Sequence, residues 1–269
     1  MKKLMLFIVL AVLALVVMPA NIQAERIQPE VNSGTSSGNR VATHVAVGGG
    51  WTTTILLVNL GISPATYTLR VYGDSGSPQP VPFLNAATQA DLGMQSVLTG
   101  TIAVGGVVSF KAQDIASSTT TGWMLIDPSS TGSIGAEVVF RYRTGQAVTA
   151  LLETSSSKRF YLAFDNTNGS ETGVALVNPQ AHAVTVNVQF RDLNGLPLMN
   201  DTFTMSPMEH TSYMLADKYP ALANELGTAL FNTDSSANAI AALGILSIPA
   251  IGATGAAGVM TTLFPMDAQ

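Results

Sequence analysis

The sequence contains no cysteine. The chain therefore has no disulfide framework, no thiolate ligands for zinc and no cysteine that could carry a lipid. Charged residues are also scarce, at 11% of the chain against about 25% in an average soluble domain. The net charge of −5 argues against binding to nucleic acid or to an acidic membrane surface. Gly, Ser and Thr are abundant instead, which favours short strands and tight turns.

The first residues have the order of a secretory signal peptide. Lys2 and Lys3 precede an uncharged apolar run over residues 4–18, and Ala24 ends a small-residue segment. The run is shorter than the roughly 20 residues of a membrane span. We predict export with cleavage after Ala24, or alternatively after Ala20, and no membrane span in the mature chain. An uncleaved anchor is the alternative, and the choice between periplasm, cell surface and medium stays open.

The chain repeats itself at a spacing of 119 residues. Residues 55–59 read ILLVN and residues 174–178 read VALVN, and the match continues in register over residues 66–71 and 185–190. Apolar and polar residues alternate in both of the latter stretches, which predicts strands with one buried face. A match at constant spacing is typical of one structural unit used twice.

These patterns predict the domain organisation. We expect a signal peptide over residues 1–24, a flexible polar leader over 25–40, a first copy over 41–155 and a second copy over 157–269. Each copy holds about seven short strands separated by turn residues, the pattern of a β-sandwich. The predicted fold class is all-β, with two tandem antiparallel β-sandwiches. A single closed barrel built from both copies is the alternative.

Turn signals also predict which strands pair. Gly-Gly at residues 105–106, Ser-Pro at 206–207 and the polar stretch 127–130 each separate two apolar runs, which predicts hairpins. Residues 173–178 and 185–190 are predicted to be paired core strands.

Two stretches of the second copy could be helical. Residues 215–226 predict one short helix that Pro220 limits to two or three turns. Residues 235–266 carry no charge and could be read as a transmembrane helix. Glycines and Pro249 interrupt them, however, and the internal match predicts a strand, a loop and a strand.

The string GDSGSP at residues 73–78 resembles the nucleophile loop of chymotrypsin-like serine proteases. Ser75 would need a histidine base and an orienting carboxylate, which lie earlier in the chain in that family. His44 is the only upstream histidine, and no Asp or Glu lies between it and Asp74. The matching residues 192–195 of the second copy form a plain turn motif. We therefore predict a turn here too, and no nucleophile.

The string GTSSG at residues 34–38 has the spacing of a nucleophile elbow. An elbow needs a strand before it and a helix after it, and both flanks are polar leader here. We predict no catalytic residues and no cofactor, so the protein is not expected to be an enzyme.

Residues 165–171 are a candidate calcium site. The string DNTNGSE has oxygen-bearing side chains at alternating positions and a glycine, as calcium loops do. The candidate ligands are Asp165, Asn166, Asn168 and Glu171. Because the acidic residues do not continue through a full loop, an Asn-Gly turn without metal is the alternative. The three histidines of the chain lie at no metal-ligand spacing and are expected to be solvated or hydrogen-bonded.

Aromatic side chains could stack on sugar rings. Trp51 follows three glycines and is the aromatic residue predicted to be most exposed, so it is the candidate ligand-binding residue. Core packing is the alternative for every aromatic residue of a sandwich strand. The other candidates are Tyr72, Trp123, Tyr142 and Tyr161.

The string GGGWTTTI at residues 48–55, followed by LVN at 57–59, resembles tandem repeats of uncharacterised secreted bacterial proteins. In those repeats a glycine-rich and threonine-rich strand ends in Leu-Val-Asn, and the string TGVALVNP at 172–179 resembles the companion repeat. The resemblance covers most of the mature chain. It implies immunoglobulin-like sandwiches and carries over no catalytic residues. The chain departs from the pattern at residues 78–100, which are longer than their counterpart.

We therefore predict a secreted, non-enzymatic structural, adhesion or binding module at the cell surface or outside the cell. Its expected partner is an unidentified extracellular protein or polysaccharide. A carbohydrate-binding module is one alternative and would show an exposed aromatic row. A hydrolase with an unrecognised site is the other and would bring carboxylates or histidines from both copies together in a pocket.

Overall fold

The computed structural model describes residues 40–127, 131, 133–143, 146–151, 158–233, 240–249 and 258–268. The predicted signal peptide, the GTSSG string and nearly all of the leader lie outside these residues, as does the predicted boundary between the copies. We call residues 40–151 the first half and residues 158–268 the second half. All described residues belong to one compact unit.

The first half is built from short strands that form two antiparallel sheets. The strands are β1 (Arg40–Val47), β2 (Trp51–Asn59), β3 (Ala65–Gly73), β4 (Val81–Asn85), β5 (Asp91–Gln95), β6 (Val97–Ile102), β7 (Val107–Ala112), β8 (Thr120–Ile126), β9 (Ile134–Tyr142) and β10 (Gln146–Leu151). Sheet 1 has the order β1-β8-β3-β6, and sheet 2 has the order β10-β9-β2-β7-β4-β5. Side chains of both sheets meet in one apolar core, a sandwich-like arrangement.

The second half also has two antiparallel sheets. Its elements are β11 (Arg159–Asp165), β12 (Glu171–Val177), β13 (Val184–Asp192), β14 (Pro197–Met205), β15 (His210–Met214), α1 (Leu215–Lys218), a 3-10 turn (Pro220–Leu222), β16 (Leu226–Thr233), β17 (Ala241–Ile248), β18 (Val259–Leu263) and β19 (Met266–Asp267). Sheet 3 has the order β14-β13-β16-β11-β19, and sheet 4 has the order β15-β12-β17-β18. A second apolar core lies between them.

The strand orders of the two halves are the same. The order β1-β8-β3-β6 corresponds to β11-β16-β13-β14, and β10-β9-β2-β7 corresponds to β18-β17-β12-β15. The first half adds the β4–β5 hairpin within residues 78–100, and the second half adds β19. The predicted all-β class is confirmed. Over the described ranges each sheet takes its strands from one half, so no closed barrel joins the two.

The predicted hairpins were wrong. β6 and β7, β14 and β15, and β8 and β9 each belong to different sheets, and so do β12 and β13. The turns at 105–106 and 206–207 therefore carry the chain from one sheet to the facing one, while residues 128–130 lie outside the described residues. Turn residues mark where the chain reverses, but they do not determine whether it returns to the same sheet. The hairpins that do form include β13–β14 and β9–β10.

A buried asparagine closes the same end of each half. Asn59 and Asn178 each donate hydrogen bonds from Nδ2 to three main-chain carbonyl oxygens, at 2.7–3.2 Å. The acceptors are Ser63, Ile102 and Ala103 for Asn59, and His182, Met205 and Ser206 for Asn178. This explains the Leu-Val-Asn motif, because the amide joins the loop after its strand to the loop that crosses between the sheets.

The helical predictions had different outcomes. α1 is a single turn, and Pro220 starts the 3-10 turn that follows it, so the helix is shorter than predicted. Within residues 235–266, β17 and β18 are strands. No helix in the described part of the chain is both long and apolar enough to span a membrane.

Candidate functional site

The two halves meet where β10 contacts β18, and where β1 and β8 of the first half contact β12, β15 and β17 of the second. On β8 successive side chains are buried on opposite sides of the strand. Met124 belongs to the first core, while Trp123 and Leu125 pack against Val177 and Ala241 of the second half. We call this contact the junction. Both faces of β8 are buried because one covers the first core and the other covers the second half.

Trp123 anchors the junction. Its side chain is fully buried, its ring stacks on Tyr72 at a centroid distance of 4.7 Å, and its Nε1 donates to the Met208 carbonyl at 3.1 Å. Neither ring of this stack is therefore a free platform for sugar, as each could have been on the sequence alone. Met208 itself has a left-handed backbone, with φ of 61°. Side chains other than glycine occupy this region only at a cost.

A chain of hydrogen bonds crosses the junction beside Trp123. His210 Nδ1 lies 2.8 Å from Asp74 Oδ1, and His210 Nε2 lies 3.2 Å from His44 Nδ1. Thr121 Oγ1 donates to both carboxylate oxygens of Asp74, and the Asp74 carbonyl accepts from the His210 N–H at 3.0 Å. A carboxylate only accepts, so His210 donates from Nδ1. Nε2 of neutral His210 then accepts from Nδ1 of His44.

A β-bulge places His44 in this chain. The register of β1 with β8 shifts between Ala42 and Val45, so Thr43 and His44 occupy a position where a regular strand has one residue. The corresponding strand β11 pairs with β16 without any shift, and Ala163 is the single residue there. A bulge turns a side chain away from the regular alternation. The inserted residue lets His44 reach the second half.

The electrostatics favour a neutral His44 and a charged Asp74. Burial lowers the pKa of His44 to about 3, assisted by the neighbouring His210 and opposed by the carboxylate of Asp74. The hydrogen bond from His210 lowers the pKa of Asp74, and the bond from Thr121 adds to this effect. The chain of hydrogen bonds is therefore stable at neutral pH, and protonation of its groups in acid weakens it.

The Asp74–His210 pair resembles the orienting half of a serine hydrolase triad, in which the second imidazole nitrogen activates a hydroxyl. Here that nitrogen is bonded to His44, and the His210 side chain is fully buried. Ser75 points its hydroxyl at Ser77, 3.2 Å away and exposed. Residues 73–76 form a turn with a bond from Gly76 N–H to the Gly73 carbonyl, and residues 192–195 form the same turn.

The candidate calcium ligands lie in a turn, but three of the four form hydrogen bonds within the protein, Asp165 and Asn166 more than Asn168. Asp165 Oδ1 accepts from the N–H and the hydroxyl of Thr167, at 2.8 and 2.7 Å. Asn166 is buried, where its Oδ1 accepts from the Thr172 N–H and its Nδ2 donates to the Leu222 carbonyl. These bonds shape the loop that corresponds to the glycine turn before β2.

The other two candidate ligands are exposed. Asn168 has a left-handed backbone in the turn, and Glu171 begins β12. In the ranges that the structure describes, no three His, Asp or Glu side chains are arranged to hold a metal ion.

Trp51 is half-buried and not the open ring that the sequence predicted. It packs on the first core and tilts against Tyr142 at 4.8 Å. The guanidinium of Arg143 lies 5.0 Å from the centre of the Tyr142 ring. The outer part of this aromatic and cationic cluster reaches solvent. Tyr161 is half-buried on β11, beside β19.

Sequence reasoning missed the junction. His44 and His210 are 166 residues apart, and no local motif links them. One signal was present: residues 123–126 and 240–243 are apolar without alternation, which indicates strands that are covered on both faces.

Comparison of the chain with protein-family models, with curated proteins and with solved structures finds no match.

Proposed function

We propose that this protein is a secreted, non-enzymatic structural, adhesion or binding module made of two tandem immunoglobulin-like sandwiches. One observation carries the proposal. The titratable side chains that meet from both halves, His44, Asp74 and His210, bond to one another and hold the halves together. A hydrolase of the triad type would need the second nitrogen of the imidazole that its carboxylate orients, and here that atom, His210 Nε2, is bonded to His44. These side chains join the two halves, as expected for a scaffold that interacts through its outer surface.

Export belongs to the same proposal. The three-part leader supports it. The resemblance to secreted bacterial repeats agrees with this address. Intact-mass measurement of the processed protein should give a chain that starts at Glu25. A cytoplasmic protein that keeps Met1 would contradict the proposal.

A carbohydrate-binding module is the second candidate, and the cluster of Trp51, Tyr142 and Arg143 favours it. A tilted aromatic pair beside a cation offers both stacking and hydrogen bonding to a sugar. The cluster is small, and Trp51 is half-buried, so it would hold the end of a glycan and not a long flat stretch.

Binding and turnover assays separate the candidates. The purified protein is tested for binding to surfaces of the producing cells and to a panel of polysaccharides, alongside Trp51→Ala. Cell-surface binding that Trp51→Ala keeps supports the scaffold proposal, and polysaccharide binding that Trp51→Ala loses supports the second candidate. Labelling of Ser75 by a serine-reactive probe, or ester or peptide hydrolysis that Asp74→Asn abolishes, would establish a hydrolase and overturn both.

A further inference from the structure

Each half ends in a tip made of the two loops that its buried asparagine joins. The first tip comprises residues 60–64 and 103–106, and the second tip comprises residues 179–183 and 206–209. The bonds that shape them are equivalent: the Asn59 N–H donates to the Gly106 carbonyl, and the Asn178 N–H donates to the Glu209 carbonyl. The two tips are therefore the same part of the fold.

The second tip is docked within the chain. Met208 of this tip and the adjacent His210 bond to Trp123 and to the turn at residues 73–76, which we call the first turn. The fit is close, because a Cβ atom on Gly76 would lie 2.7 Å from Met208 Cβ. The second tip thus recognises the first turn.

The first tip carries an apolar surface that nothing in the described part of the chain covers. Ile62 is 98% exposed, Val104 is 54% exposed, and Val107, which follows the tip on β7, is 59% exposed. Leu60 adds a further exposed apolar side chain beside Gly135. Clustered exposed apolar side chains of this kind mark interaction sites.

The second turn, residues 192–195, is the counterpart of the first turn, but it is open where the first turn is covered. Gly195 has a φ of 79° and Gly76 a φ of 78°, so the backbone is the same. No atom lies within 4 Å of a Cβ placed on Gly195. The surface on which the second tip docks in the first half therefore has a free equivalent in the second half.

The side chains at these free surfaces are matched to each other. The strand register gives the equivalent of each polar junction residue. Val107 corresponds to His210, Leu193 to Asp74 and Leu226 to Thr121. Leu193 is 70% exposed and Leu226 is 43% exposed. Three polar residues that bond inside the chain are thus replaced by three apolar residues, and all three of these are uncovered.

We propose that the first tip of one molecule docks on the second turn of another copy of this chain. The contact repeats the arrangement of the junction, with Val107 against Leu193 and Leu226 where the junction has His210 against Asp74 and Thr121. The two surfaces are different, so the contact is head-to-tail and can repeat from one molecule to the next.

The polarity also selects the pairing. His210 against Leu193 would bury an imidazole without its carboxylate, and Val107 against Asp74 would remove water from an unpaired charge. The polar surfaces therefore pair with each other inside one molecule, and the apolar surfaces pair with each other between molecules. The edge of β1 is free to contact the second half, whereas the equivalent edge of β11 is covered by β19. The contact between molecules therefore centres on the second turn and not on this edge.

Sedimentation velocity over a concentration series tests this self-association. The purified full-length product is compared with Val107→Asp, on the tip side, and Leu193→Asp, on the turn side. Ile115→Asp is the matched control, because Ile115 is 70% exposed but lies outside both surfaces. The mass of the wild type and of the control should rise with concentration, while each of the two variants should weaken association about 10-fold or more, since a carboxylate would be buried unpaired.

A mixture of the two variants tests the head-to-tail contact directly. Val107→Asp keeps an intact turn and Leu193→Asp keeps an intact tip, so an equal mixture should form dimers and nothing larger. A mixture that stays monomeric would overturn the head-to-tail contact. So would a wild type that is monomeric at about 1 mM, where even an association of about −4 kcal/mol is half-populated, or an Ile115→Asp variant that weakens association as much as Val107→Asp.

Discussion

β1 and β11 occupy the same place in the two halves, yet only β1 is bulged. The extra residue turns His44 out of the strand and towards the second half, whereas β11 runs straight past Ala163. A single inserted residue is thus enough to give one half a contact that its counterpart lacks. The two halves therefore differ at the surfaces that contact another part of the protein, while the hydrogen bonds inside each sandwich are alike.

The internal frame of the halves is the same down to individual bonds. Thr53 exchanges hydrogen bonds with the main chain of Ala46, and Thr172 does so with Asp165. Each pair of bonds fixes the loop before β2 or β12 to the sandwich of its own half. Loss of the threonine hydroxyl would therefore lower the stability of either half. The surface residues carry no such constraint, and they form a polar set at the junction and an apolar set at the free surfaces.

The largest effect should come from removing a core leucine at equivalent positions. Leu57 and Leu176 are both fully buried, so Leu57→Ala and Leu176→Ala should each lower the free energy of unfolding by about 2–5 kcal/mol. Denaturant unfolding measures this loss, with the exposed Leu60→Ala as control. If one variant unfolds like the wild type, the two halves do not share a common frame.

The next effect concerns the paired asparagines. Asn59→Leu and Asn178→Leu keep the size of the side chain but lose the amide that serves three carbonyl oxygens, so each should lower the free energy of unfolding by about 1–3 kcal/mol. Asn194→Leu, in an exposed turn, is the matched control. Unequal losses at residues 59 and 178 would show that the tips are held differently.

Acid should destabilise the contact made by the bulged strand β1, which carries His44, whereas the straight strand β11 has no histidine at that position. The folded pKa of His44, about 3, lies below its ordinary value of 6.5, so the unfolded chain binds the extra proton first. The stabilisation is complete above pH 6.5 and is lost as the pH falls towards 3. The loss is about 1.5 kcal/mol between pH 6.5 and about pH 5. His44→Gln should remove this slope.

A second group at the junction also responds to acid. The lowered pKa of Asp74 acts in the same direction, but in more acid solution, because its stabilisation is lost as the pH falls through its folded value. A His44→Gln variant with an unchanged slope would show that His44 does not carry the effect.

The smallest effect compares the two turn glycines. Gly76→Ala and Gly195→Ala both place a side chain in the left-handed region, at a cost of about 1 kcal/mol. Only the new Cβ at residue 76 also meets Met208. Thermal unfolding in dilute solution should therefore show a larger loss for Gly76→Ala. Equal losses would mean that the second tip is not packed against the first turn.

Local patterns predicted much of the fold. The strands predicted at residues 66–71 and 185–190 lie within β3 and β13, because each alternation is contained in one short stretch. β1 was not predicted, because its alternation is interrupted by the bulge. No hairpin was predicted within residues 78–100, since Gly93 and the exposed Met94 dilute the apolar pattern of β5.

The junction could not be predicted in the same way. The partners of His44 and Trp123 are set by how two sandwiches pack, and no spacing in the sequence encodes that packing. The string at residues 73–78 drew attention to Ser75 by its resemblance to a protease loop. In the structure its neighbour Asp74 makes the important contact, with a histidine 136 residues later in the chain.

The left-handed backbone of Met208 has a consequence for the order of assembly. The first tip has Gly105 at this position, with a φ of 65°, and glycine adopts that conformation freely. Met208 needs help from outside its own half, and the Trp123 indole supplies part of it. A nascent chain folds from its N-terminal domain onwards. We expect the first half to be complete when residue 208 is made, so that it acts as a template on which the second half finishes folding.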